Sequence, residues 1–244
     1  DITPIISAVD DTASTDEDNS ISILAPDNDQ YLNSAPLSVT PESPANGTAT
    51  SDGYGITYTP NADFNGTDSF NYTISQGGKS ATAKITVTVT AINDAPSIDT
   101  SSTLSAAENQ TSVATISVSD VDNNDTLTLT HSGPDAESFD LSGDRILTFK
   151  TAPDYEIRTS YAITLSLTDG TATVTKDIAI NVTNVNDIPP KFTSSASLSG
   201  DENQTSIGTV TASDADGDAV IFAVSGSELA ITSGGVFTFA SAPD

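Results

Sequence analysis

The acidic residues of this sequence stand in short groups that recur at a fixed spacing. The stretch DADGD, residues 214–218, holds three carboxylates in five residues, and DVDNND repeats the pattern from Asp120 onwards. A glutamate, Glu108 or Glu202, precedes the first aspartate of each group by 12 residues. Two bare carboxylates about 4 Å apart repel by up to ~4 kcal/mol at an effective dielectric constant of 20. Such groups therefore either spread apart or share a cation.

Calcium is the cation that these side chains suit best. It takes 6–8 oxygen ligands at flexible angles, from carboxylates, amide carbonyls and the backbone, whereas Mg²⁺ demands a stricter octahedron and keeps its waters. The chain has no Cys and one His, so zinc and copper sites are not expected. The hypothesis from the residues alone is a set of Ca²⁺ sites.

The composition excludes several classes of function. Against 34 Asp and Glu there are 7 Lys and Arg, for a net charge of −27, which argues against nucleic acid or an anionic membrane as a partner. No run of 18 apolar residues is present, so no membrane insertion is expected. With no Cys and only His131, the chain offers no convincing nucleophile–base pair, and we expect no enzyme.

The chain is built from repeats. Glu108 and Glu202 are 94 residues apart, and so are Asp120 and Asp214. We predict domains at 1–95, 96–189 and 190–244, the last lacking the counterpart of YEIRTSYAITLSLTDGTATVTKDIAINVT. Alternating runs rich in Thr, Val and Ile, separated by turn residues, predict short strands, and SGD at 142 and SGG at 233 predict hairpin turns. The expected fold is therefore all-β: tandem Ig-like β-sandwiches arranged end to end, with the third incomplete.

The predicted strand ends gather the acidic groups. A sandwich collects alternate strand ends at one pole, and a short ND.P linker would bring the bottom of one sandwich to the top of the next. The residues expected at the second such junction are Glu108, Asp154, Glu156, Asn186, Asp187, Asp214 and Asp216.

These motifs resemble those of cadherin repeats. AENQ and DENQ are similar to the x-E-x motif of that family, DVD and DAD to its D-x-D motif, and PDYE to its (L)DRE motif. LTDG is similar to its x-D-x motif, and VNDIP to its D-x-N-D-N-x-P linker. The resemblance implies cadherin-like sandwiches with Ca²⁺ bound between successive domains, where it makes the array a stiff rod.

The first repeat resembles a bacterial subtype, the cadherin-like tandem repeats of the VCBS type, in AVDDTASTDEDNSISILAPDND and YTPNADFNGTDSFNYTI. Large surface adhesins of the repeats-in-toxin (RTX) type contain such arrays. Linker positions that are acidic or amide in the family are Ala91, Ala95 and Ile188 here, so we expect one or two ions per junction. By the same resemblance, the first junction would use Glu17, Asp63, Asn93, Asp94, Asp120, Asp122 and Asp169.

The resemblance implies an extracellular extender region of a bacterial adhesin, which presents a distal binding module. Its direct partners would be other domains of the same long chain. Other modules of that chain would bind a glycan or peptide on a host cell or other surface. A direct binding module for a polysaccharide, a peptide or a second copy is the main alternative. Glycoside hydrolysis by paired carboxylates is less favoured because the pairs recur in register. An EF-hand in DADGD is disfavoured by Ala219 and Ser225, where that loop needs Gly and Glu.

Overall fold

The computed structural model describes residues 5–32, 36–122 and 124–244, and the all-β fold class is confirmed. Within these ranges the helices are two short 3-10 turns, Ala25–Asn28 and Ala136–Ser138. No helix of the described chain is both long enough and apolar enough to cross a membrane. The chain divides into two compact units. Unit 1 comprises Asp1–Asp94 and Asp120–Asn124, and unit 2 comprises Ala95–Ser119 and Asp125–Asp244.

Unit 1 is a sandwich of two sheets. Its strands are β1 (Asp11–Asp16), β2 (Ile21–Ile23), β3 (Ser38–Pro41), β4 (Gly47–Ser51), β5 (Ile56–Pro60), β6 (Gly66–Gln76) and β7 (Lys79–Thr90). One sheet has the order β1–β7–β6–β3 and the other β2–β5–β4. Alternate residues of each strand point inward, so Tyr58 from one sheet and Tyr72 and Ile85 from the other meet in a single fully buried core.

The first part of unit 2 repeats this plan. Its strands are β8 (Ser97–Ile98), β9 (Thr103–Ala107), β10 (Ser112–Thr115), β11 (Val118–Ser119), β12 (Thr128–Ser132), β13 (Phe139–Leu141), β14 (Ile146–Phe149), β15 (Ser160–Thr168) and β16 (Thr173–Thr183). The main sheet, β12–β15–β16–β9, faces the sheet β10–β14–β13. Phe139, Leu147, Leu165 and Ile180 are fully buried in the core.

The rest of unit 2 holds strands β17 (Lys191–Phe192), β18 (Ser206–Thr209), β19 (Ala212–Ser213), β20 (Leu229–Ile231) and β21 (Val236–Phe239). These pair as β17–β19 and β18–β21–β20, the counterparts of β8–β11 and β10–β14–β13. The segments that correspond to β9 and β12 form no strand. In the second repeat, β9 and β12 pair only with β16 and β15, whose counterparts the third repeat lacks.

Without that second sheet, the third repeat has no closed core. Within the described residues, no apolar side chain after Val182 is buried, and Phe192 and Ile221 are largely exposed. The two hairpin turns that the sequence predicts at SGD and SGG are confirmed, because they join β13 to β14 and β20 to β21. The predicted boundaries at 95 and 189 stay predictions.

Candidate metal centre

A parallel strand pair in unit 2 positions the glutamate of the second repeat. β9 and β16 run parallel and end together, with Ala107 beside Thr183, so the residues that follow them emerge at the same pole. Glu108 donates its backbone N–H to the Thr183 carbonyl (3.1 Å), and only 3% of the residue is exposed to solvent. Its carboxylate accepts the N–H groups of Tyr155 and Val185, each at 2.7 Å. Glu108 therefore ties three segments together.

Four carboxylates converge around this buried glutamate. Oxygens of Glu108, Glu156, Asp187 and Asp216, here called the Glu108 cluster, all lie within 4.8 Å of one another. Asp216 also accepts the backbone N–H groups of Asp187 (3.1 Å) and Ile188 (2.8 Å) through Oδ2. The cluster thus gathers residues of the second repeat, of the linker and of the third repeat, all inside unit 2.

Two oxygens of the Glu108 cluster are buried without a partner. Among the described residues, Glu156 Oε1 and Asp216 Oδ1 have no hydrogen bond. Partial burial raises the pKa of Glu156, and the nearby carboxylates of Glu108, Asp216 and Asp154 raise it further. A buried anionic oxygen without a donor is costly, so these atoms are suited to a cation ligand.

The other residues expected at the second junction are not among the four carboxylates of the Glu108 cluster. Asp154 Oδ1 accepts the N–H of Ile157 at 3.1 Å, and Asp214 Oδ1 accepts the N–H of Asp216 at 2.9 Å. Asn186 donates its side-chain amide to the carboxylate of Asp218. Short Asp and Asn side chains bond the backbone two or three residues onward, which is their usual role in turns.

Unit 1 positions its own glutamate in the same way. β1 and β7 run parallel and end together, and the Glu17 N–H donates to the Thr90 carbonyl at 2.9 Å. Glu17 is buried, with Oε1 accepting the N–H of Ile92 at 2.5 Å. Its second oxygen accepts a side-chain amide, Asn65 Nδ2, at 3.3 Å. The glutamate is again bonded to the segment that follows the last strand of its sandwich.

Three carboxylates gather beside this anchor. Oxygens of Asp18, Asp63 and Asp94, here called the Asp94 cluster, lie within 4.8 Å of one another. The Asp94 N–H donates to Asp122 Oδ2 at 2.8 Å, the same contact that Asp187 makes in unit 2. Partial burial raises the pKa of Asp94, and the charges of Asp63, Asp122, Asp18 and Glu17 add to that rise.

The sequence analysis did not identify Asp18 as a member of this group. Asp18 has a φ of 58°, and the residues that follow the glutamate in the other repeats, Asn109 and Asn203, have φ values of 62° and 61°. Asn and Asp are the non-glycine residues that tolerate this left-handed conformation best. The available signal was the position itself, directly after the repeated glutamate, where the first repeat alone carries a carboxylate.

Two further residues of the predicted first junction belong to unit 1 and make local bonds. Asp120 Oδ1 accepts the N–H of Asp122 at 3.0 Å, and Asp120 Oδ2 is buried with no partner among the described residues. Asn93 Nδ2 donates to the carbonyl of Asp94 at 2.6 Å. The turn bond between Asp120 and Asp122 is the counterpart of the one between Asp214 and Asp216.

The last residue expected at the first junction, Asp169, belongs to unit 2. It is buried, and its Oδ1 accepts the N–H groups of Thr171 and Ala172, each at 2.6 Å. A carboxylate oxygen of Asp125, the last acidic residue of DVDNND, lies within 4.8 Å of it. Asp169 therefore closes the turn between β15 and β16 and has a second acidic residue near it.

The donor set of both clusters consists of oxygen. Carboxylates, with the amide of Asn65 beside the Asp94 cluster, are the ligands that hard divalent cations prefer, and no sulfur or imidazole is among them. The unpartnered oxygens of Glu156 and Asp216 add a physical demand for positive charge. Calcium fits this set because its coordination is flexible enough to accept ligands from separate segments.

Comparisons with known proteins agree with the fold. Residues 1–90 match the bacterial Ig domain family. None of the curated proteins compared with the chain matches it.

Among solved structures, the chain is similar to human CDH23 EC21-23, with a TM-score of 0.55 at 18% identity over 96% of this chain and 89% of that one. It is similar to Drosophila N-cadherin EC1-4, with a TM-score of 0.52 at 16% identity over 100% and 66%. The protocadherin GammaB4 extracellular domain gives a TM-score of 0.52 at 19% identity, over 97% of this chain and 43% of that one. The chain thus spans less than half of that protocadherin, and these likenesses show a cadherin-like, Ig-like fold.

Proposed function

We propose that the chain is an extender region of a large secreted bacterial adhesin of the RTX type, in which Ca²⁺ bound between consecutive sandwiches stiffens the array. The observation that carries this proposal is the Glu108 cluster. It gathers carboxylates from the second repeat, the linker and the third repeat, and two of its buried oxygens have no partner among the described residues. A shared cation would join those three segments.

The residues of this chain supply the binding and the positioning. Glu108 is fixed by two backbone N–H groups and presents its charge at the pole of the sandwich. Asp216 holds the linker through the N–H groups of Asp187 and Ile188, which leaves its other oxygen facing the cluster. Calcium, when bound, supplies the positive charge that offsets the repulsion among the four carboxylates. The linker can then no longer bend without breaking ligand bonds.

The expected energies are sufficient for this role. Extracellular modules bind Ca²⁺ with dissociation constants of roughly 10⁻⁴–10⁻³ M. At about 100 times the dissociation constant, a site adds ~2.7 kcal/mol to the free energy of unfolding. That is a large fraction of the 5–15 kcal/mol by which a domain is normally stable, and this chain has no disulfide to contribute.

The similarity of residues 1–90 to bacterial Ig domains and the cadherin-like fold support a place outside the cell or on its surface. We propose other domains of the same long protein as its direct partners, and a glycan or peptide as the target of a separate distal module. We propose no enzymatic activity, since extension and adhesion account for the acidic groups.

The test is calcium titration of the full chain with a matched pair of variants. Asp216→Asn removes one charge from the Glu108 cluster, and we expect it to weaken calcium binding at that site about tenfold. Asp144→Asn removes the same charge from the exposed turn between β13 and β14 and should leave binding unchanged. X-ray scattering should show a longer, straighter particle in calcium than in chelator.

An unchanged scattering profile would refute the stiffening role. If calcium binds equally well to Asp216→Asn and Asp144→Asn, the Glu108 cluster is not the site. Binding of the chain to a polysaccharide or peptide, with no calcium effect on its length, would favour the direct binding module instead.

A further inference from the structure

The chain contains two Asn-Gly dipeptides, and they lie in contrasting surroundings. Asn65–Gly66 stands beside the Asp94 cluster, with Asn65 exposed and its side-chain amide donating to Glu17. In Asn46–Gly47, Asn46 lies in a bend and Gly47 is the first residue of β4. Asparagine is one of the chemically labile residues. A glycine that follows it has no side chain to hinder attack by the glycine's backbone nitrogen on the asparagine side chain.

The reaction is an intramolecular displacement followed by hydrolysis. The backbone nitrogen of Gly66 attacks Cγ of Asn65, a new C–N bond closes a five-membered succinimide, and the Cγ–Nδ2 bond breaks. Ammonia leaves, carrying the former amide proton of Gly66. Water then opens the ring, at the Cγ carbonyl to give aspartate or at the α-carbonyl to give isoaspartate. Both products carry one carboxylate in place of a neutral amide.

The backbone at Gly66 offers little resistance to this reaction. Gly66 has a φ of 127°, a conformation open to glycine, and the nearest atom to the place of a Cβ is a Phe64 ring carbon at 3.8 Å. Gly66 is the first residue of β6, where it lies opposite Val89 of β7, and Asn65 lies before the strand and outside the sheet.

The other dipeptide is held firmly. Asn46 donates its N–H to Asp68 at 2.9 Å, and its carbonyl accepts the N–H of Asn61 at 2.8 Å. A Cβ on Gly47 would lie 2.5 Å from the carbonyl oxygen of Thr59, so this glycine is packed against the neighbouring strand. The same dipeptide thus provides an internal control within the same sandwich.

The position of Asn65 gives the reaction a consequence. When the first two repeats are aligned, Asp63-Phe64-Asn65 matches Asp154-Tyr155-Glu156. Asn65 therefore stands at the position of Glu156, which is a member of the Glu108 cluster. We propose that Asn65 is a site of spontaneous deamidation, and that its product adds a fourth carboxylate beside Asp18, Asp63 and Asp94. The second half of this proposal, tighter calcium binding, rests on the proposed function, whereas the first half does not.

The first experiment measures the modification itself. The full chain is aged in mildly alkaline buffer with chelator, and peptide mass spectrometry follows the gain of about one dalton at each dipeptide. We expect Asn65 to be converted at least several times faster than Asn46. Conversion of Asn46 at an equal or greater rate would overturn the proposal, whether or not the chain binds calcium.

The second experiment measures the consequence by calcium titration. Asn65→Asp should bind calcium about tenfold more tightly at the unit 1 site than the unaged protein, because the number of charged ligands sets the affinity of calcium sites. Thr50→Asp adds the same charge at an exposed position of β4 and should bind like the unaged protein. Equal affinity of Asn65→Asp and Thr50→Asp would overturn the second half of the proposal. Failure of the unaged protein to bind calcium at all would instead refute the proposed function.

Discussion

The two acidic clusters of this chain lie on the same arrangement of strands and differ in their number of carboxylates. In each, a parallel strand pair ends beside a buried glutamate, Glu17 or Glu108, and the linker N–H that follows binds an aspartate of the next acidic loop. The Glu108 cluster contains four carboxylates and the Asp94 cluster three. The scaffold is therefore set by strand pairing, while the charge of each cluster is set by a few single residues.

Two matching positions change the charge in opposite directions, and Glu108 and Asp216 belong to their cluster whereas their counterparts Glu17 and Asp122 do not. Where unit 2 has Glu156, unit 1 has the neutral Asn65, and where unit 2 has the neutral Asn109, unit 1 has Asp18. Asn109 donates to Asp187 at 2.6 Å and so relieves its charge, whereas Asp18 adds charge to its own cluster. The comparison teaches that the two clusters reach a similar composition by placing carboxylates on different segments.

The largest effect is expected on removing the two anchors. Glu108→Ala leaves the partly buried N–H groups of Tyr155 and Val185 without their acceptor, and should lower the free energy of unfolding by about 2–4 kcal/mol. Glu17→Ala leaves one backbone N–H, that of Ile92, and should cost about 1–3 kcal/mol. Urea unfolding in chelator measures both, with amide hydrogen exchange at the named residues to locate the change.

The exposed Glu137 provides the control for this pair, because Glu137→Ala should change the free energy of unfolding by less than about 0.5 kcal/mol. A cost for Glu17→Ala that equals or exceeds that of Glu108→Ala would contradict the difference in backbone anchoring.

An intermediate effect is expected on exchanging the residues that follow the anchors. Asn109→Asp replaces a hydrogen bond to Asp187 with repulsion, and should destabilise the chain in chelator by about 1 kcal/mol. Asp18→Asn removes one of three carboxylates, and should weaken calcium binding in unit 1 by about tenfold. Chelator melts and calcium titrations measure these two results.

Asn203→Asp makes the same substitution in the same backbone conformation in the third repeat and is the matched control. If it destabilises the chain as much as Asn109→Asp does, the effect comes from the left-handed turn and not from the charge of the cluster.

The smallest effect is expected from pH. Burial and neighbouring charges raise the pKa of Glu156 above its ordinary value of 4.5. A carboxyl with a raised pKa in the folded state contributes stability below its unfolded pKa, and this stability is lost as the pH rises through the folded value. In chelator, the folded chain should therefore gain stability from this group as the pH falls from neutral toward about 4.5.

Melting temperatures in chelator across this pH range measure the effect. Glu156→Gln should make the melting temperature depend less on pH, because the glutamine does not titrate. If the melting temperatures of Glu156→Gln and of the unaltered chain depend on pH identically, the pKa of Glu156 is not raised by burial and the other carboxylates. In calcium the slope should reverse, since protons compete with the cation for the same oxygens.

Much of the fold could be predicted from the sequence because its signals are local. Alternating apolar residues predicted the strands of both complete sandwiches, and SGD and SGG predicted two hairpins. The failure of the β9 and β12 counterparts to form strands in the third repeat could not be seen in their own residues. A strand needs partners for its backbone groups, and in the second repeat those partners are β15 and β16, which lie far along the chain.

The candidate metal centre was likewise predictable only in part from the sequence. The spacing of carboxylates drew attention to Glu108, Glu156, Asp187 and Asp216, which the structure brings within 4.8 Å of one another. The same spacing drew attention to Asp154 and Asp214, whose oxygens bond neighbouring backbone N–H groups instead. Residue type alone does not specify which carboxylate oxygens meet, because that depends on how separate segments of the chain pack.

The sequence by itself determined the repeats, the all-β class and the acidic character of the strand ends, because residue type and periodicity encode all three. The tertiary structure alone decided which oxygens meet, that Asp18 belongs with Asp63 and Asp94, and that two oxygens of the Glu108 cluster are buried without a partner. These features depend on segments that are distant in sequence, and only the pairing of parallel strands and the path of the linker bring such segments to one pole.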